Sequence, residues 1–183
     1  HIEKLTAKGV VILAEELSNI KQEYITNRYF DNVITQETDK NILPDLVVTL
    51  GGHIVSKNLK QWLRKFQPQH HWSIRHTGDV ADLFQCLTMV WECNADSAVE
   101  LLSQHLPLQI DTNYTDEWRK SIGIMPMKSH SWELDVLGRV LKVVPDSWNI
   151  HVANSSMVRD IQKLPSTGCN ICCNCGINGI EGS

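Results

Sequence analysis

The sequence predicts an α/β fold, parallel sheets flanked by helices, and three observations predict it. Val10-Val11-Ile12-Leu13-Ala14 and Leu46-Val47-Val48-Thr49-Leu50 are near-continuous apolar runs rather than alternating ones, as in strands covered on both faces. Segments of helical period stand between such runs; Leu59, Trp62, Leu63 and Phe66 fall at i, i+3, i+4 and i+7. Polar or glycine-bearing turns close the runs, Glu15-Glu16-Leu17-Ser18-Asn19 after the first and Gly51-Gly52-His53 after the second. Strand, helix, strand, helix is the order that layers helices on a parallel sheet.

In chain order, residues 2–8 read as the tail of a helix, with Gly9 where a C-cap belongs. Residues 10–14 are expected as the first buried strand. Residues 21–35 mix Tyr24, Asn27, Arg28 and Phe30 without a clean period and are assigned to loop and short helix. Pro44-Asp45 breaks the chain before the second strand, and Ser56 is placed to cap the helix that follows. Trp72-Ser73-Ile74 reads as a third strand. His70 and His71 beside it point to opposite faces of a strand, so they are expected at the surface rather than sharing a metal. Residues 83–93 are apolar, with a strand at 88–91, and Asn94 or Asp96 caps a helix carrying Val99, Leu101 and Leu102.

His105-Leu106-Pro107 ends that helix, and a boundary near Pro107 divides the chain into 1–107 and 108–183. Thr115-Asp116-Glu117 starts a fresh helix with acids in its first turn. Pro126 forbids a continuous helix over 123–131. Leu134, Leu137, Leu141 and Val144 form a helical face that runs to Pro145. A strand at 150–153, a turn, a helix with Met157, Ile161 and Leu164 on one face, and a strand at 169–174 complete the second half. Both sheets look unfinished, so the chain is expected to be a fragment.

The chain has 183 residues and a formal charge of −4, with no basic patch of the kind that tracks nucleic acid. No apolar run approaches the roughly 18–20 residues that span a bilayer, and no basic-then-apolar leader opens the chain, so a cytoplasmic protein is expected. Four of the six cysteines crowd into 169–175, which is no disulfide framework and fits a reducing compartment.

The most informative stretch is Ile150-His151-Val152-Ala153-Asn154-Ser155-Ser156-Met157-Val158-Arg159. It reads strand, tight turn, helix, with Ser155 or Ser156 as N-cap and Arg159 in the first turn, near its mouth. Ligands of open α/β sheets gather at the carboxyl ends of strands. Backbone donors, a serine hydroxyl and a guanidinium converging there suit a carboxylate or a phosphate. The plain alternative is that Ser155 only caps and Arg159 only meets water.

Three segments carry a family resemblance: PDLVVTLGGHIVSKNLKQWLRKF, HVANSSMVRDIQ and CNCGINGIEGS, in this order and spacing. Together they resemble the 2-succinyl-5-enolpyruvyl-6-hydroxy-3-cyclohexene-1-carboxylate synthases, thiamine-diphosphate transferases of menaquinone biosynthesis. The likeness runs from about Gly9 to Ser183 and is weakest across 123–131. It implies most of a Rossmann-like middle domain, truncated at its N-terminus over 1–107, followed by the start of the pyrophosphate-binding domain over 108–183. It implies that the complete enzyme, a homodimer or homotetramer, uses thiamine diphosphate and Mg²⁺ to decarboxylate 2-oxoglutarate and add the product to isochorismate. Asn154, Ser155 and Arg159 match positions that contact the acceptor and the cofactor-bound intermediate, and Ile180 matches an apolar residue near the thiazolium. The catalytic glutamate and the magnesium motif fall outside this chain, so the fragment alone is expected to bind no cofactor and to be inactive. Gly78-Asp79 lacks the third glycine and the asparagine of that magnesium motif.

One departure stands out. The family pattern has arginine where Cys175 stands, and a thiol does not replace a bidentate cation. Two other readings compete. Cys169 and Cys172 have zinc-knuckle spacing, with Cys173 and Cys175 nearby, which suggests a metal-binding module. Gly51-Gly52 after a strand suggests a free-standing dinucleotide-binding domain, although the full GxGxxG pattern is missing.

Overall fold

The computed structural model describes residues 1–36, 42–77, 80–107, 112–121 and 132–174. Cys175, Ile180, Gly78-Asp79 and the 123–131 segment lie outside the described residues. The chain opens with α1 (Ile2–Ala7), after which Gly9 takes a positive φ of 84°, as a residue just past a helix end does. Residues 10–14 are extended but belong to no sheet, against the sequence expectation. Ile12 bonds instead to Thr26, its N–H donating to the Thr26 hydroxyl (2.9 Å) and its carbonyl accepting from the Thr26 N–H (2.9 Å). A hydroxyl thus takes one bond that a neighbouring strand would have made, while Val11 and Leu13 still pack on the core.

Helix α2 (Phe30–Gln36) leads to β1 (Leu46–Leu50) and α3 (Lys57–Phe66). Ser56 caps α3 as expected, its Oγ accepting from the Leu59 N–H at 2.9 Å. β2 (His70–Arg75) and β3 (Met89–Glu92) follow, then α4 (Ala95–His105), capped by Asn94, which accepts from the Asp96 N–H at 2.8 Å. The sheet has the order β1-β2-β3 and is parallel throughout, with Leu46 opposite His70 and Trp72 opposite Met89.

His71 corrects a second expectation. It is 1% exposed, its Nε2 lies 3.1 Å from the Thr49 hydroxyl, and its ring packs at a tilt against Phe84, centroids 4.7 Å apart. His70 is exposed as expected, so of the two neighbours only His71 is taken into the core.

Beyond Pro107, α5 (Thr112–Lys120) begins three positions before the expected Thr115 and packs back on the first unit. Trp118 is 1% exposed and meets Trp62 edge to face at 6.2 Å, within a core that includes Phe30, Leu63 and Phe84. Two polar ties hold α5 there. The Thr115 hydroxyl donates to the Gly9 carbonyl (2.6 Å), and buried Asn27 donates to the Trp118 carbonyl (3.0 Å).

The second unit is smaller. α6 (Trp132–Val143) turns Leu137, Leu141 and Val144 toward a core built on β4 (Asn149–Val152), α7 (Ser156–Asp160) and β5 (Asn170–Cys173). β4 and β5 pair in parallel, Ile150 opposite Ile171. That core is aliphatic, with Val152, Val158, Ile161 and Ile171, and Leu17 and Val55 of the first unit pack against it. At the junction before it, Gly168 lies so close to Asp146 that a Cβ would sit 2.6 Å from the Asp146 Cβ. Both sheets are α/β in the predicted sense, a parallel sheet flanked by helices.

Candidate functional site

Helix α7 faces the start of α3 across a narrow cleft. Glu15, Asp31 and Ser56 line it from the first unit, and Val158, Arg159 and Gln162 from the second. Each side is held by local bonds that the sequence dictates. Glu15 follows the apolar run directly, and its carboxylate accepts from the Val55 N–H (2.9 Å) and the Ser56 N–H (2.7 Å), the unpaired donors ahead of α3. Burial raises the Glu15 carboxyl above its usual range, Asp31 adds to this, and the two backbone N–H groups and Lys60 oppose it. Asp31 receives the Ser56 hydroxyl on one oxygen and the Asn58 amide (2.9 Å) on the other.

On the opposite side, Ser155 takes φ 71° and ψ −108°, a left-handed conformation uncommon for a residue with a Cβ. Its hydroxyl makes no capping bond; the Asn154 side chain accepts from the Ser155 N–H instead, at 2.7 Å. The expected serine cap is therefore present in position only, and its hydroxyl is exposed at the end of β4. Strained backbone of this kind is concentrated at functional turns.

Arg159 is partly buried, and its Nε is fully enclosed without a hydrogen-bond acceptor among the described residues. An enclosed donor left unpaired costs about 1–3 kcal/mol, so the position favours an acceptor brought by a ligand. Its charge is felt nearby. Lys60 is pushed below its usual range by burial first, with Arg64, Arg159 and Lys57 adding to this and Glu15 opposing it. The cleft thus holds an arginine donor opposite Glu15 and Asp31, whose carboxylates are already engaged by Val55, Ser56 and Asn58, and the arginine suits one carboxylate of a small acid.

Of the expected residues, Arg159 lines the cleft, while Asn154 and Ser155 form the turn ahead of α7 and are not among its lining residues. Glu15, Asp31, Lys60 and Gln162 went unrecognised. Glu15 carried a usable signal, a polar residue at the carboxyl end of a buried apolar run; Gln162 carried none.

The described cysteines of the 169–175 cluster have separate environments. Cys169 is buried and donates to the Pro145 carbonyl (3.3 Å), Cys172 is exposed, and Cys173 packs on the second core. Among the described residues, no group of three or more His, Cys, Asp or Glu is placed to hold a metal ion. At the double glycine, Gly51 has φ +83°, and a Cβ there would meet nothing within 4 Å. The glycine answers to backbone conformation in a tight turn, not to the close approach of another group. No described helix is long and apolar enough to cross a membrane.

Comparison with known proteins agrees with this layout. The family model described as the middle domain of thiamine pyrophosphate matches residues 2–131. The chain is similar to the 2-succinyl-5-enolpyruvyl-6-hydroxy-3-cyclohexene-1-carboxylate synthase of Phocaeicola vulgatus, with 36% identity over 93% of this chain and 31% of the relative. It is 34% identical to the synthase of the same name from Bacteroides thetaiotaomicron, over 98% of this chain and 33% of that one. It is 31% identical to that of Desulfotalea psychrophila, over 96% and 32%. The chain spans about a third of the length of the curated relatives it matches. By its fold and by the matched residues, the chain belongs to the family of thiamine pyrophosphate enzyme middle domains.

Proposed function

We propose that this chain is a segment of a 2-succinyl-5-enolpyruvyl-6-hydroxy-3-cyclohexene-1-carboxylate synthase. That transferase of menaquinone biosynthesis decarboxylates 2-oxoglutarate and adds the resulting succinyl carbanion equivalent to isochorismate. The observation that carries the reading is the enclosed Arg159 Nε, without a hydrogen-bond partner among the described residues, on the helix that follows β4 and the positive-φ Ser155. The names of the relatives support it.

In this reading Arg159 and Ser155 bind and orient a carboxylate of the acceptor, and Asn154 fixes the turn that presents the serine. Glu15 and Asp31 hold the opposite wall by fixing Ser56 and the start of α3. Thiamine diphosphate supplies the electron sink for decarboxylation. By resemblance, the residues that hold the cofactor and its Mg²⁺ lie in other parts of the complete enzyme, and we expect the segment alone to be inactive. Ile180 and Cys175 belong to the same site by resemblance. We place the complete enzyme in the cytoplasm, as a homo-oligomer. The middle domain passes into the next between α5 and α6, beyond Pro107, because Trp118 completes the first core and the family match runs to residue 131.

The test is Arg159→Ala in the full-length enzyme. A charge-assisted hydrogen bond is worth roughly 1.5–3 kcal/mol, so kcat/KM for isochorismate should fall about 10–150-fold, with 2-oxoglutarate decarboxylation less affected. An unchanged value for isochorismate in folded protein sinks the assignment.

A further inference from the structure

The turn over residues 15–19 bonds to residues from both sides of the cleft. Glu15 holds the N–H groups of Val55 and Ser56 ahead of α3. One residue on, the Glu16 N–H donates to the Gln162 Oε1 at 2.8 Å. Gln162 lies directly behind α7, three positions after Arg159, and is 9% exposed. Its Nε2 donates to the Arg28 carbonyl at 2.8 Å and the Ala14 carbonyl at 3.4 Å. Arg28, 4% exposed, pairs with the Glu16 carboxylate and donates through Nε (2.9 Å) and Nη2 (2.7 Å) to the Leu164 carbonyl. Charged and amide groups buried this deeply persist only where their partners are in place, so the network permits little sliding of α7 against the turn.

At the far end of the turn, Asn19 stands at φ 51°. Its Oδ1 accepts from the Ile171 N–H (2.7 Å) and its Nδ2 donates to the Ile171 carbonyl (3.1 Å). Ile171 lies on β5, the second strand of the smaller sheet.

We propose that the 15–19 turn is the positioning element of this site. Through Gln162 it sets α7 and Arg159, and through Asn19 it sets β5, both against the start of α3. Gln162 and Asn19 are positioning residues; they act through Arg159 and β5 and need not touch the substrate. Their consequence for catalysis rests on the synthase reading above.

Two substitutions in the full-length enzyme separate this role from simple support. Asn19→Gly removes both side-chain bonds yet accepts the positive φ. Gln162→Met keeps the length and burial of the side chain without its polar atoms. Each should raise KM for the acceptor about tenfold, with a smaller change in kcat for 2-oxoglutarate decarboxylation. In an Arg159→Ala background, Gln162→Met should add little, because the group it positions is gone. Amide exchange supplies a readout independent of activity: Ile171 should exchange at least about tenfold faster in Asn19→Gly, and Glu16 likewise in Gln162→Met. Unchanged exchange at both amides overturns the positioning role. So does an acceptor KM that stays put, or a Gln162→Met effect that is fully additive with Arg159→Ala. A wild-type enzyme without synthase activity overturns the functional reading instead, and exchange then still decides whether the turn holds α7 and β5.

Discussion

Around the first sheet the buried side chains are large and aromatic, with Phe30, Trp62, Phe84 and Trp118 in one cluster. Around the second they are small and aliphatic, and Leu17 and Val55 of the first unit help to cover them. The first unit supplies its own lid, since α5 folds back to insert Trp118; the second borrows part of its cover from the 15–19 turn and the loop before α3. The half that carries Arg159 is therefore the dependent one. A cleft lined from both sides gains from this, because the surface that closes the second core also fixes the distance across the cleft.

The contrast can be broken at its strongest point by Trp118→Ala. Emptying a fully buried tryptophan site should cost about 3–5 kcal/mol, read as a lower midpoint in chemical denaturation. If the second unit depends on the first as described, amides of β4 and β5 lose protection together with those of β1 and β2. Persistent protection of β4 and β5 alone would show two independent cores.

Leu17→Ala sharpens the comparison from the other side. Leu17 is only partly buried, so the loss should be about 1–2 kcal/mol, below the roughly 2–5 kcal/mol of a fully buried leucine. It should appear as faster exchange at Ile150 and Ile171, with the first sheet unchanged. Equal loosening of both sheets would contradict the borrowed-cover account.

The smallest effect is a pH dependence confined to the first unit. Burial pushes the His71 imidazole below its ordinary value of 6.5; Arg75 adds to this and Asp82 opposes it. The unfolded chain then binds the proton more readily than the folded one. The stability this neutral histidine contributes is complete above 6.5 and is lost as the pH falls below that value toward the lower folded pKa. Denaturation midpoints measured from neutral to mildly acidic pH should show the loss, His71→Asn should flatten it, and amides of β1 and β2 should register it before those of β4 and β5.

Local rules made much of the fold legible. β1 announced itself by an apolar run behind a proline, α3 and α4 by period and cap, and the turn at Asn154 by its switch from an apolar run to a helical face. What escaped was decided at a distance. The apolar run at 10–14 has the composition of a strand, but composition does not say which backbone will pair with it, and Thr26 took one of the bonds. Of the adjacent histidines His70 met the surface as expected, but nothing local says that the neighbouring ring of His71 finds Phe84 and the Thr49 hydroxyl. Gln162 reads as an ordinary helix residue, and its meaning lies in carbonyls 134 and 148 residues away. The conformation of Ser155 is equally illegible, since nothing in Asn-Ser-Ser specifies which residue takes the positive φ.

The Asn19 amide has a consequence of a different kind. A carboxamide carries the same donor and acceptor as a peptide unit, so at Ile171 it imitates one rung of an adjoining strand. The Asn170 N–H points the other way, to the Trp148 carbonyl ahead of β4. Ile171 therefore presents its N–H and carbonyl on the outer margin of β5, where Asn19 has taken both. A margin stoppered in this way offers no template at that rung to an aggregating chain. Any further strand joining this sheet in register has to dock beyond β4, so a single asparagine gives the growing sheet a direction.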